Sequence, residues 1–179
     1  MFKRFSPFTV LLGFPLALIA PPGFSQDSVS FSGGADTAGN SYIARIAYRH
    51  KLNREFILSS GRAILTFSEG SIGGWQGAST DDKGFVSLGL RYVLTTPLFD
   101  SKNTWFEFGT GPLVISDLHL NDDQSWGYKL QFDSHLGVRY HFKARPFAVG
   151  YGFHHISNAG LGDENHGLNL HMLTFRRRF

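Results

Sequence analysis

Between Tyr128 and Phe142 the sequence YKLQFDSHLGVRYHF alternates with a period of two. One face reads Tyr128, Leu130, Phe132, Ser134, Leu136, Val138, Tyr140 and Phe142, and the other Lys129, Gln131, Asp133, His135, Gly137, Arg139 and His141. Successive side chains of a strand point to opposite faces, so the run predicts a strand that is apolar outside and polar inside. It is much longer than the roughly 5–6 residues usual for a soluble strand. A strand that crosses a bilayer at a tilt and extends beyond it has this length.

The same alternation recurs along the chain. Tyr42, Ala44, Ile46 and Tyr48 are set against Ile43, Arg45, Ala47 and Arg49. Val86, Leu88, Leu90, Tyr92 and Leu94 are set against Ser87, Gly89, Arg91 and Val93, and Phe106 and Phe108 flank an inward Glu107. Residues 54–67 form a noisier strand with Ile57, Ala63, Leu65 and Phe67 outward. Residues 28–35, 146–157 and 168–179 complete a set of eight, the even number that a closed bacterial barrel needs. The links at 51–53 and 143–145 read as tight, and those at 68–84 and 116–127 as long and polar, the asymmetry of periplasmic turns and outer loops. The expected fold is all-β: an eight-stranded antiparallel transmembrane β-barrel. An ordinary soluble β-sandwich would have to explain inward arginines on several strands.

Composition supports this reading, with 18 Phe and 21 Gly in 179 residues and no cysteine for disulfides or thiolate chemistry. The first 25 residues look like a signal peptide. Lys3 and Arg4 precede an apolar run from Phe8 to Ala20, with small residues before Gln26 and prolines that argue against a retained helix. The mature domain is then 26–179. Lys3 and Arg4 are two of the 17 basic residues, so 15 remain against 14 acidic ones. That balance, on an exported chain, argues against nucleic acid as a partner.

Candidate chemistry concentrates in FHHISNAGLGDENHGLNL, residues 153–170. The strand before it places Phe147, Val149, Tyr151 and Phe153 outward, and the same parity delivers His155 and then Ser157 to the outer wall. An imidazole two residues from a hydroxyl on one face is a base beside a nucleophile. His154 has the opposite parity and is expected to hydrogen-bond in the lumen. A metal site from His154, His155, His166 and His171 is the competing reading, but adjacent histidines point to opposite faces. No metal or other cofactor is expected.

The segment HISNAGLGDENHGLN, from His155, resembles the bacterial lipid A 3-O-deacylases of the outer membrane, the PagL-type enzymes. These carry His-x-Ser-Asn-Ala-Gly-Leu and a later Asn-x-Gly on an eight-stranded barrel. The resemblance implies a serine esterase that removes the 3-O-linked acyl chain of lipid A in lipopolysaccharide. It implies His155 as base, Ser157 as nucleophile, Asn158 as a residue needed for activity and Asn165 as a support for the oxyanion. The third triad position falls on Asn169, where the family carries glutamate. Asn can orient an imidazole through its side-chain oxygen but brings no charge. Asp163 and Glu164 are lesser candidates for the missing carboxylate. His171 shares the parity of Asn169 and is a candidate contact for a sugar or phosphate. The expected partners are lipid A and the outer membrane; whether two barrels pair as a homodimer is left open. The alternative function is a non-enzymatic outer-membrane barrel, an adhesin or structural protein.

Overall fold

The computed structural model describes residues 26–79, 84–99, 101–121, 124–162 and 165–179, so the leader expected over 1–25 lies outside the described residues. Ten strands follow in order: β1 Ser28–Asp36, β2 Ser41–Ile57, β3 Ala63–Gly77, β4 Phe85–Pro97, β5 Thr104–Ile115, β6 His119–Asn121, β7 Gln124–Ser125, β8 Leu130–His141, β9 Phe147–Ser157 and β10 Leu168–Arg178. Eight close into an antiparallel barrel in the order β1-β10-β9-β8-β5-β4-β3-β2, while β6 and β7 pair separately. Closure through β1 and β10, with Ser28 opposite Arg178, removes both free sheet edges. The start of β1 and the end of β10 lie at one rim, with the β2–β3, β4–β5 and β8–β9 joins. The β9–β10 join is at the opposite rim.

The period of two is realised around the wall. Val86, Leu88, Leu90, Leu136, Val138, Val149 and Leu173 are exposed on the outside, as a hydrocarbon-facing band requires. The interior is layered. Toward the β9–β10 rim a plug of Ile43, Trp75, Phe85, Leu113, Ile115, Trp126, Ile156, Leu168, Leu170 and Met172 fills the lumen. The middle holds ion pairs: Arg45–Asp133 at 2.8 Å, Arg49–Glu69 at 2.7 Å, Arg139–Glu107 at 2.7 Å and Arg176–Glu69 at 3.2 Å. Arg49 also meets Glu107, and Arg91 meets Glu69. Such charges survive burial only because each has an opposite partner. Toward the rim with the start of β1 and the end of β10 a cavity of about 410 Å³ opens among Arg49, Phe67, Trp105 and Arg139.

One part of the sequence reading is corrected. Residues 51–53 are not a turn: β2 runs through them to Ile57, and β3 continues to Gly77, well into the loop expected over 68–84. A register shift between Lys51 and Glu55 absorbs the polar residues without breaking the strand, and Thr66 Oγ1 donates to Arg54 O at 2.6 Å beside it. The count of eight is unaffected, but facing is. Phe67 and Leu65, expected outward, line the cavity, and the Phe67 ring lies 5.6 Å from the Arg49 guanidinium.

Candidate active site

His155 is opposite Asn169 in the β9–β10 register, so the two share a face of the wall. Both are exposed, at the rim of the β9–β10 join. His155 Nδ1 and Asn169 Oδ1 are 2.8 Å apart. A carboxamide oxygen only accepts, so Nδ1 carries the proton and Nε2 is left as an acceptor. Ser157 follows two positions on, partly buried at the end of β9. Two residues of strand rise set its backbone about 6.6 Å from that of His155 on the same face.

Gly167 joins these residues. Its φ of 57° is left-handed, which favours glycine. A Cβ built there would meet His155 Cε1 at 3.4 Å and Ser157 Cβ at 3.9 Å. The backbone before β10 thus lies against the imidazole edge and the serine together. A second serine, Ser134, sits directly across from His155 on β8. Its Oγ, however, is paired with Thr110 Oγ1 at 2.8 Å. Gly167 thus has both His155 and Ser157 beside it, whereas the Ser134 hydroxyl is engaged with Thr110.

The loop between β9 and β10 is held by its asparagines. Asn158 is fully buried. Its Nδ2 donates to Trp126 O at 3.0 Å, its Oδ1 accepts from Gly160 N–H at 2.9 Å, and its own N–H donates to Asn165 Oδ1 at 3.1 Å. Asn158 therefore ties the residue after Ser157 to the apolar plug, a positioning task for its side chain. Asn165 is exposed and braces the same turn. Asp163 and Glu164 lie outside the described residues.

The remaining histidines separate. His154 is buried in the lumen, its Nδ1 2.9 Å from Asp133 Oδ1 and its ring stacked on His135 at 4.9 Å. His166 is exposed in the loop. His171 is outward, 2.5 Å from Tyr151 Oη through Nδ1, with Phe153 edge-on to its ring at 5.5 Å. Among the described residues no His, Asp and Glu side chains are grouped to hold a metal ion. Arg176 points inward to Glu69 rather than to the outer surface. Sequence reasoning passed over Gly167 and the Ser134–Thr110 pair. Ser134 lies in the column from Tyr128 to Phe142, but its pairing with Thr110 depends on the β5–β8 register, and Gly167 carried no signal without its φ.

A family model described as Lipid A 3-O-deacylase (PagL) matches residues 42–178. Among solved structures, the crystal structure of the outer membrane enzyme PagL aligns with a TM-score of 0.72 at 23% identity, covering 85% of this chain and 99% of that one. No curated protein matches.

Proposed function

Because the chain belongs to the lipid A 3-O-deacylase (PagL) family, we propose that Ser157 is its nucleophile, His155 its general base and Asn169 the group that orients the base. The protein is an outer-membrane carboxylic ester hydrolase that acts on lipid A. The observation that carries the residue assignment is the shared outward face of the His155–Asn169 hydrogen bond and Ser157, at the rim of an apolar wall.

Ser157 Oγ attacks the carbonyl carbon of the 3-O-linked acyl chain while His155 Nε2 takes its proton. The tetrahedral oxyanion forms beside the β9–β10 loop, where the Asn165 side chain and loop N–H groups stabilise it. The intermediate collapses with loss of the sugar oxygen, to which His155 returns the proton. Water, deprotonated by the same ring, then frees the fatty acid from Ser157. Asn169 Oδ1 holds Nδ1–H and so keeps Nε2 toward the serine, but it supplies no charge to the imidazolium. Asn158 acts by fixing the chain just after the nucleophile. A membrane lipid reaches such a site by lateral diffusion, which accounts for a catalytic pair on the outside of a barrel.

The test is incubation of the refolded protein with lipopolysaccharide, followed by mass spectrometry of lipid A. The parent removes one ester-linked acyl chain and Ser157→Ala leaves it in place. A Ser157→Ala protein that releases fatty acid as fast as the parent would remove Ser157 from the mechanism.

A further inference from the structure

The cavity at the rim opposite the candidate active site has no part in the steps above. It encloses about 410 Å³, within the roughly 300–1,000 Å³ of small-molecule sites. Arg49 and Arg139 line its inner end, and both are held on Glu107. Arg139 is only 6% exposed, yet its Nε has no hydrogen-bond partner among the described residues. A buried donor left unmatched is costly unless a ligand or solvent meets it.

The outer part of the cavity is cationic. Lys102 enters from the β4–β5 join, Lys143 and Arg145 from the β8–β9 join, and Arg178 from the end of β10. Among the described residues no carboxylate lines the cavity, and none pairs with these four side chains. Backbone bonds hold both joins against the mouth: His141 N–H donates to Asn103 O at 2.8 Å, and Arg178 N–H donates to Pro146 O at 2.8 Å. Like charges gathered around a low-dielectric recess repel one another and focus a positive potential into it. An entering anion relieves that repulsion, and phosphate suits it best, because guanidinium and ammonium donors match its several oxygens. The rest of the lining is apolar: Leu65, Phe67, Trp105 and Phe142, with Trp105 edge-on to His141 at 6.1 Å. A bare ion would leave these faces uncovered, whereas a carbon body attached to the phosphate would cover them.

We propose that this cavity binds an organic phosphate, with the phosphate group among Lys102, Lys143, Arg145 and Arg178 and its carbon body against Phe67 and Trp105. The site is independent of the esterase assignment, since it uses the opposite rim and none of His155, Ser157 or Asn169. Two sources carry this chemistry: a water-soluble phosphate ester, and the headgroup of a phospholipid in the leaflet at that rim.

The experiment is calorimetric titration of the refolded protein in maltoside micelles, which bring no phosphate of their own. The probes are phenyl phosphate, inorganic phosphate, uncharged phenyl glucoside and dihexanoylphosphatidylglycerol. An organic phosphate binds more tightly than inorganic phosphate, phenyl glucoside does not bind, and affinity falls as salt rises toward about 0.15 M. Lys102→Ala/Lys143→Ala/Arg145→Ala weakens binding by roughly tenfold or more, the scale of lost charge-assisted contacts, and leaves deacylation of lipopolysaccharide unchanged. Lys102→Arg/Lys143→Arg/Arg145→Lys, which keeps the charge, retains binding. All three side chains are exposed at joins, so both variants keep the barrel. Tighter binding of phenyl phosphate assigns the site to a soluble ester, and tighter binding of the phosphatidylglycerol assigns it to a headgroup. No saturable binding of either, affinity no greater than that of phenyl glucoside, or affinity that survives the triple alanine variant overturns the site.

Discussion

His154 and His155 are neighbours in the chain and carry the same ring, yet they live in different solvents. His154 is sealed in the lumen against Asp133 and His135, within a layer in which Arg45, Arg49, Arg91, Arg139 and Arg176 are shared among Asp133, Glu69 and Glu107. His155 is outside, with Asn169 on Nδ1 and an alcohol two residues along. The interior constellation is dense, and each of its charges is paired with an opposite one. The exterior one is sparse and set in an apolar wall, where an unsatisfied polar group is costly unless a substrate meets it. Polar residues in a barrel are therefore sorted by face. Those inside hold the strands in register, and those on the hydrocarbon side mark chemistry.

Exchanging the two histidines separately breaks this comparison most directly. His155→Ala lowers deacylation by roughly a thousandfold or more while the protein still folds, since the base is lost and the ring is exposed. His154→Ala keeps the outer wall intact and costs roughly 1–3 kcal/mol of stability, read from the denaturant midpoint. The assay of both variants on lipopolysaccharide, beside their unfolding curves, checks the split; a His154→Ala protein that is stable but inactive would refute it.

Glu69→Gln is the next largest change. Glu69 meets Arg49, Arg91 and Arg176, so its neutralisation leaves excess buried positive charge. Stability should fall by about 3–5 kcal/mol, with activity retained by the fraction that folds, as seen by denaturant titration alongside turnover. Asn169→Ala is expected to slow turnover by roughly 10–100-fold, because the imidazole loses its orienting acceptor but not its neighbours. Asn169→Glu should instead raise the rate, because a carboxylate stabilises the imidazolium. The smallest effect belongs to Gly167→Ala, in which a methyl must adopt a φ of 57° against the His155 edge. It costs about 1–2 kcal/mol, measurable as a lowered unfolding midpoint.

The alternation that made this architecture legible is strongest where the two faces have different solvents. The strand from Leu130 to His141 and the parity of His154 and His155 could be read directly, because a one-residue slip would put charge into hydrocarbon. Legibility failed at Lys51–Glu55, where a polar run that reads as a turn is a bulge within β2, and the strand beyond it was assigned the wrong face. Of the candidate site, the grouping of His155, Ser157 and Asn169 on one face followed from spacing and from the family segment. The anchoring of Asn158 to Trp126 O did not, since the two are brought together only when the β5–β8 connection folds over the plug. The Ser134–Thr110 pair escaped for the same reason: each hydroxyl is unremarkable on its own strand, and only the β5–β8 register joins them.

The central claim is that the reacting alcohol is the one on the β9 rim, activated by His155. It is tested most directly by reacting the folded protein with a long-chain alkyl fluorophosphonate and mapping the adduct by peptide mass spectrometry. The account predicts a single adduct on Ser157, formed far more slowly in His155→Ala. An adduct on Ser134, or labelling of Ser157 at an unchanged rate without the imidazole, would contradict it.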